Sequence, residues 1–208
     1  MQSTPPYTDA YCRGVTSAAQ LIDGPLPPAR LRRWRHIRAT AVALFDQHGY
    51  AVVSIDEITE AAGVSRRTFF NYFATKGGVL FDPDPEEAQR LSALLQEGAQ
   101  ELDPWASLVT ALEAYLELQE ELVTARRRII DQEPSLDAVH MMANANFEQS
   151  VLNWLAERGV EGLRAHVFAA VALGVVRAAF RTWDPDDGYQ AFLASLREGL
   201  GVVGMGMR

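Results

Sequence analysis

Six side chains in one short run carry the most legible chemistry of this sequence: Arg66, Arg67, Thr68, Phe70, Asn71 and Tyr72. Arg66 and Arg67 can read guanine edges or hold phosphates, and the Tyr72 hydroxyl is suited to a phosphate contact, with packing alone as its alternative role. Phe69 and Phe73 lie four residues apart and so share the opposite face of a helix. A short helix with an aromatic anchor on one side and Arg, Thr, Asn and Tyr on the others suits insertion into a DNA major groove. The bland alternative is a solvated helix face.

The elements that must position this run are readable on both sides of it. Gly63 sits where a preceding helix must stop with φ > 0, Val64 is an apolar plug in the turn, and Ser65 is a strong N-cap. Upstream, Ser54-Ile-Asp-Glu57 forms a capping box, and Ile55, Ile58 and Ala62 make one apolar stripe. A longer helix is expected over Ala29–Gln47, with Leu31, Trp34, Ile37, Ala41, Leu44 and Phe45 at helical spacing, Pro28 in its first turn and Gly49 after its end. The result is a three-helix unit with a helix-turn-helix.

The chain has 208 residues and 48% apolar content, enough for one or two domains with a real core. Alternating β-branched runs and Asn-Gly hairpin turns are absent from the sequence, so the fold is expected to be all-α. No run of eighteen uninterrupted apolar residues occurs, and the N-terminus lacks a basic-then-apolar pattern; no membrane span or secretory signal is expected. The single cysteine, Cys12, fits a reducing cytoplasm. The net charge of −8 argues against nucleic acid only until it is divided: residues 30–82 carry +3, residues 83–208 carry −10 and residues 1–29 carry −1. Phosphate contact needs local positive charge, not a basic whole.

This division gives three expected parts: a flexible proline-bearing arm over 1–28, a DNA-binding domain over 29–82, and a helical domain over 83–208. Lys76-Gly-Gly-Val-Leu-Phe81 opens a weak fourth helix, which Asp82-Pro-Asp-Pro85 breaks; Gly77-Gly78 reads as a hinge. Asp84-Pro85-Glu86-Glu87 restarts a helix to about Gly98. Asp103-Pro104 starts one expected to run to Ile130, and Pro134 starts another to Gly159. A long helix over Glu161–Trp183 follows. A last helix is expected from Asp184 to Leu200, with a frayed tail.

The run Gly49-Tyr50, Ser54-Ile-Asp-Glu-Ile58, Ala61-Ala-Gly-Val-Ser65, Thr68-Phe-Phe, Tyr72-Phe73 and Lys76 resembles the DNA-binding domain of TetR-family transcriptional regulators. The Arg-Arg-Thr-Phe-Phe form, with the Asp-Pro interruption after it, is similar to an actinobacterial mycofactocin-type subgroup. The resemblance implies a homodimer of about nine helices per chain, in which the last two long helices pair across a four-helix bundle. It also implies a small-molecule pocket among the middle helices, with ligand binding that releases DNA. On this sequence its DNA contacts fall on Ser54, Arg66, Arg67, Thr68, Phe70, Asn71, Tyr72 and Lys76. Gly77-Gly78 departs from the family's usual acidic or helix-forming residues.

For the pocket, Trp105, Tyr115, Met142, Phe147, Trp154 and Phe168 are the candidates, and an apolar or amphipathic effector is expected; each could equally be plain core. Leu163, Val167, Val171, Gly174, Ala178, Phe192 and Leu196 are the candidate dimer interface. Arg30, Arg32, Arg33 and Arg35 either follow a DNA groove or simply solubilise the first helix. Arg126-Arg127-Arg128 either meets the negative end of a helix or holds an anionic group. His36, His48, His140 and His166 show no paired spacing, so no metal site is expected. No catalytic or cofactor motif occurs, so the implied function is a ligand-responsive DNA-binding regulator, most simply a repressor released from a palindromic operator. Two alternatives remain at this level: a helical adaptor whose DNA domain has lost function, and an all-α enzyme built from scattered residues.

Overall fold

The computed structural model describes residues 26–97, 103–137, 140 and 145–206. The N-terminal arm with Cys12 lies outside them, as do Met142 and Val139. All regular structure among the described residues is helical. The described residues up to Glu86, together with those between Arg128 and Asn144, form one compact unit; Glu87–Arg127 with the residues from Ala145 onward form a second. The expected division at 82/83 is a single cut in sequence, whereas the compact units interleave.

In the first unit, α1 spans Pro28–His48 and presents Trp34, Ile37, Ala41 and Phe45 to the core, with no exposed surface. α2 (Ile55–Ala61) begins at the capping box: Ser54 Oγ accepts from Glu57 N at 3.2 Å, while Glu57 Oε2 accepts from Ser54 N at 2.7 Å. Such a cap stabilises a helix start by about 1 kcal/mol. The backbone hydrogen bonds to Ser54 hold the Glu57 carboxyl below its ordinary range. Gly63, at φ 62°, closes α2 with two reversed bonds, Gly63 N to Glu60 O and Val64 N to Thr59 O. This is the left-handed stop that only glycine enters without cost.

α3 (Arg66–Phe70) starts at Ser65, whose hydroxyl accepts from Thr68 N at 3.0 Å. It is shorter than expected: Asn71 is its C-cap, and Tyr72 and Phe73 sit in the turn beyond, their amides both bonded to Phe69 O. The single helical turn survives because Phe69 and Phe73 are fully buried, with ring centroids 5.7 Å apart and Trp34 5.3 Å from Phe73. Burying each such ring contributes about 1.5–3 kcal/mol, more than a five-residue helix gains from propensity. α4 (Gly78–Phe81) begins two residues later than the sequence suggests, and all four of its residues are buried.

In the second unit, α5 spans Glu87–Glu97 and α6 Pro104–Glu117, the latter capped by Asp103 Oδ1 on Trp105 N and Ala106 N. The single helix expected from Asp103 to Ile130 is in fact two. It breaks at Leu118–Gln119, and α7 runs Glu120–Gln132. Leu116 O, which a continuous helix would offer to Glu120, instead accepts from Gln119 N at 2.9 Å and from the Tyr189 hydroxyl at 2.6 Å. A 3-10 turn at Pro134–Leu136, which belongs to the first unit, stands where a helix was expected to open; in the second unit the next described helix, α8, is Ala145–Glu157. α9 spans Gly162–Thr182.

The Asp184 start signal produces a 3-10 turn, Pro185–Asp187, rather than the last helix itself. α10 begins after Gly188 at Tyr189 and continues to Gly206, so the tail expected to fray is helical up to there. Its packing explains the difference. A Cβ at Gly199 would stand 2.6 Å from Val175, and one at Gly204 2.9 Å from Trp105 Nε1, so these glycines let α10 press closely onto α9 and α6. Length and composition alone would let α9 cross a membrane; it is an amphipathic helix of the second unit, with Phe168, Ala169, Ala172 and Leu173 buried.

Candidate DNA interface and effector cleft

The outer face of α3 is open. Arg66, Arg67 and Asn71 are exposed, and Phe70 shows 42% of its surface. Thr68 is half-buried, its hydroxyl 2.9 Å from Ser65 Oγ. Tyr72 corrects the sequence reading: it is 6% exposed, its ring packed inward with the Arg30 guanidinium 5.6 Å from its centroid, so it does not stand on an outer face. The cause is the early end of α3, which turns residue 72 toward the core.

Arg66 Nη1 lies 2.8 and 2.9 Å from the two carboxylate oxygens of Asp56, in the first turn of α2. Lys76 donates to Tyr50 O, and its ammonium is 4.3 Å from the Tyr50 ring centroid. Partial burial lowers its pKa, against the pull of Glu133 and Glu57. Ser54 is exposed beside the same cap.

The arginines of α1 separate by role. Arg30, Arg32 and Arg33 are exposed. Arg35 is committed, with Nε 2.8 Å from Asp84 Oδ2 and Nη2 2.8 Å from Glu86 Oε2; the bond to Asp84 chiefly holds its charge. Arg38 is buried, its guanidinium 4.1 Å from the Trp34 ring centroid, Nε donating to Val79 O at 2.9 Å and Nη2 to Asp82 O. Sequence reasoning counted Arg38 only as a positive charge. Its position one turn after Trp34 was the available signal. With these bonds Arg38 satisfies two carbonyls, one in α4 and one at its C-cap.

In the second unit the candidate pocket residues do not gather at one place. Trp105 packs edge-on against Phe168 at 5.5 Å, Tyr115 against Phe147 at 5.5 Å, and Trp154 lies under Arg158 at 4.7 Å. The Tyr115 hydroxyl donates to Glu87, and burial raises its pKa. Ser107 Oγ and Trp154 Nε1 are buried without a hydrogen-bond partner among the described residues. Of the five candidates among the described residues, Trp105 alone lines the open cleft of about 550 Å³ between α6, α9 and α10.

The candidate dimer residues divide cleanly. Leu163 (82% exposed), Val167 (39%), Gly174 and Ala178 stand on the outer face of α9, with Val171 half-buried beside them. Phe192 and Leu196 are corrected: they are 1% and 0% exposed, with Phe192 stacked among Trp183 and Tyr189, so they belong to the chain's own core. Arg127 reaches the last turn of α9, donating to Trp183 O at 3.0 Å and Arg181 O at 3.3 Å. That is the helix-end role among its two readings, played at a helix distant in sequence.

A short capped helix displaying arginines above an aromatic anchor, behind a glycine-stopped helix, defines a helix-turn-helix DNA-binding protein. The family model described as "Bacterial regulatory proteins, tetR family" matches residues 37–82, and that described as "MftR C-terminal domain" matches residues 102–208. The chain therefore belongs to the TetR family of bacterial transcriptional regulators, with an MftR-type C-terminal domain, and is a DNA-binding regulator of transcription.

It is 31% identical over 182 residues to a Mycobacterium tuberculosis protein named as the mycofactocin biosynthesis transcriptional regulator MftR, covering 83% of this chain and 89% of that one. It is 29% identical over 176 residues to the HTH-type transcriptional regulator TcmR of Streptomyces glaucescens, covering 77% and 78%. In fold it is similar to Thermus thermophilus FadR, a TetR-family repressor solved with lauroyl-CoA, with TM-score 0.50, 22% identity, and 84% and 95% of the two chains covered.

Proposed function

We propose that the chain works as a homodimeric repressor that leaves a palindromic operator when a small amphipathic effector binds its second unit. The observation that carries the reading is the exposed Arg66, Arg67, Phe70 and Asn71 face, fixed from behind by the fully buried Phe69 and Phe73. A helix fixed in this way presents these side chains to base edges at a set position and angle. The DNA contacts we assign are Ser54, Arg66, Arg67, Thr68, Phe70, Asn71 and Lys76, with Tyr72 supporting them from inside.

Dimerisation is supported by the exposed apolar strip Leu163, Val167, Gly174 and Ala178 along one face of α9, since contiguous exposed apolar surface marks an interaction site. An effector is supported by the aromatic core of the second unit and by its two unpartnered buried donors, Ser107 and Trp154. The similarity to MftR supports this arrangement in an intracellular regulator without catalytic activity.

Selection of bound DNA from a random pool tests the reading. The expected product is a dyad-symmetric site whose half-sites are about one DNA turn apart or somewhat more, roughly 34–36 Å. An enriched pool without dyad symmetry, or no enrichment at low salt, would overturn it.

A further inference from the structure

We propose that the cleft between α6, α9 and α10 binds an amphipathic organic anion, with its acid group at Arg164 and Arg197 and its apolar body against Trp105, Val109 and Leu200. The cleft holds about 550 Å³, inside the range of roughly 300–1,000 Å³ that small-molecule sites occupy. Its lining is divided by chemistry. Trp105, Ala106, Val109 and Leu200 supply apolar wall, while Arg164 and Arg197 supply cationic donors from two different helices. Gly201 and Gly204 put bare backbone along α10, and side chains there would fill the space.

The donors are unequally engaged. Arg164 forms no ion pair among the described residues; its guanidinium rests 5.3 Å from the Phe168 ring centroid. Arg197 is held by Glu113 at 3.3 Å and Glu117 at 2.9 Å, through Nε and Nη2, which orients it and leaves Nη1 without a hydrogen bond among the described residues. Trp105 Nε1 donates no hydrogen bond there either, and it lies 2.9 Å from where a Cβ of Gly204 would stand. The one acid of the lining, Asp103, spends an oxygen on the amides of Trp105 and Ala106. A carboxylate or phosphate head would therefore meet up to three donors, two of them charged, and an alkyl or aryl body would leave water for the indole wall. A neutral apolar molecule would use only half of this surface.

This inference rests on the effector reading above but places the ligand at one site and gives its charge. Decanoate and 1-decanol are the probes, differing only in the charged head, with binding to the full chain followed by titration calorimetry. Arg164→Glu should weaken decanoate binding about ten-fold or more, the ratio expected for losing one charge-assisted hydrogen bond, and leave decanol unchanged. Val109→Trp should fill the cleft and weaken both. Far-UV circular dichroism with unchanged helical signal confirms that both variants are folded.

Decanoate binding that both variants retain, or no decanoate binding by the wild-type chain, overturns the site. Release from the selected operator is read separately by anisotropy. Decanoate that occupies the cleft without changing operator affinity would leave the site standing and defeat the effector reading instead.

Discussion

Arg66, the first residue of the recognition helix, rests on Asp56, the second residue of the helix before it, with Nη1 2.8 and 2.9 Å from the two carboxylate oxygens. Both side chains are more than half exposed, 57% and 68%. The pair therefore orients the guanidinium without holding it firmly, since exposed ion pairs contribute about 0–1 kcal/mol.

On that basis Asp56→Asn should tighten operator binding by up to about five-fold at low salt, because Arg66 no longer leaves a carboxylate to meet DNA. Arg67, exposed and outside this pair, sets the comparison. If Arg66→Ala relaxes preference at one base position while Arg67→Ala weakens all sequences and flattens the salt slope, the first reads a base and the second a phosphate. Anisotropy titrations at three salt concentrations measure both. Equal affinity for wild type and Asp56→Asn would show that the pair is irrelevant to binding.

Gly77 and Gly78 should respond unequally to alanine. Gly77 is the N-cap of α4 with φ −78° and ψ −21°, dihedrals that alanine adopts without strain, but alanine is a poorer N-cap than glycine; the two effects offset and Gly77→Ala should change stability by less than about 1 kcal/mol. A Cβ on Gly78 would stand 2.9 Å from Asp82 Oδ2, and Asp82 is only 9% exposed. Gly78→Ala should cost about 1–3 kcal/mol, as overpacking does. Thermal denaturation of the two single variants separates them. A higher midpoint for Gly78→Ala would mean that Asp82 yields freely.

Leu163→Glu and Phe192→Ala test the corrected dimer surface. The first should give a monomer of unchanged helical content by light scattering, because Leu163 is open to solvent in the single chain. The second should lower stability by about 3–5 kcal/mol, as large buried aromatics do when truncated. A Leu163→Glu chain that stays dimeric would move the interface off the outer face of α9.

Stability should fall in alkali. Burial raises the pKa of Tyr115 and of Tyr189, with Glu87 adding to the first and Glu120 and Glu117 to the second. A folded-state pKa above the unfolded value of about 10 gives stability that is complete below that pH and lost as the pH climbs past it. Urea midpoints at pH 8 and above 10 should differ, and the difference should shrink in Tyr115→Phe or Tyr189→Phe. An equal loss in both single variants and the wild type would point to other groups.

The DNA-binding unit was largely legible because its signals are local. A capping box, a glycine stop and an aromatic i, i+4 pair each act within a few residues, and they were readable from Ser54 to Phe73. What failed was long in reach. Beside the break at Leu118, the Leu116 carbonyl is taken up by Tyr189, 73 residues away. The helical order of the tail depends on the approach of Gly204 to Trp105. The burial of Phe192 and Leu196 depends on which face of α10 meets α9, which an apolar spacing alone does not decide, since a dimer face and a core face share the same period. The cleft arginines, 164 and 197, have no spacing that relates them.

The stretch from Gly77 to Pro85 looks slack in sequence, with two prolines and two glycines in nine residues. In the folded chain it is tied twice to α1: Arg38 holds the Asp82 carbonyl, and Arg35 grips Asp84 and Glu86 one turn earlier. A tug at Glu86 would meet a tie rod instead of a loose cord, and the load would pass straight into the backbone of the helix that carries Trp34. The freedom of this stretch against α1 is then limited by two guanidinium groups, whatever its glycines would allow alone.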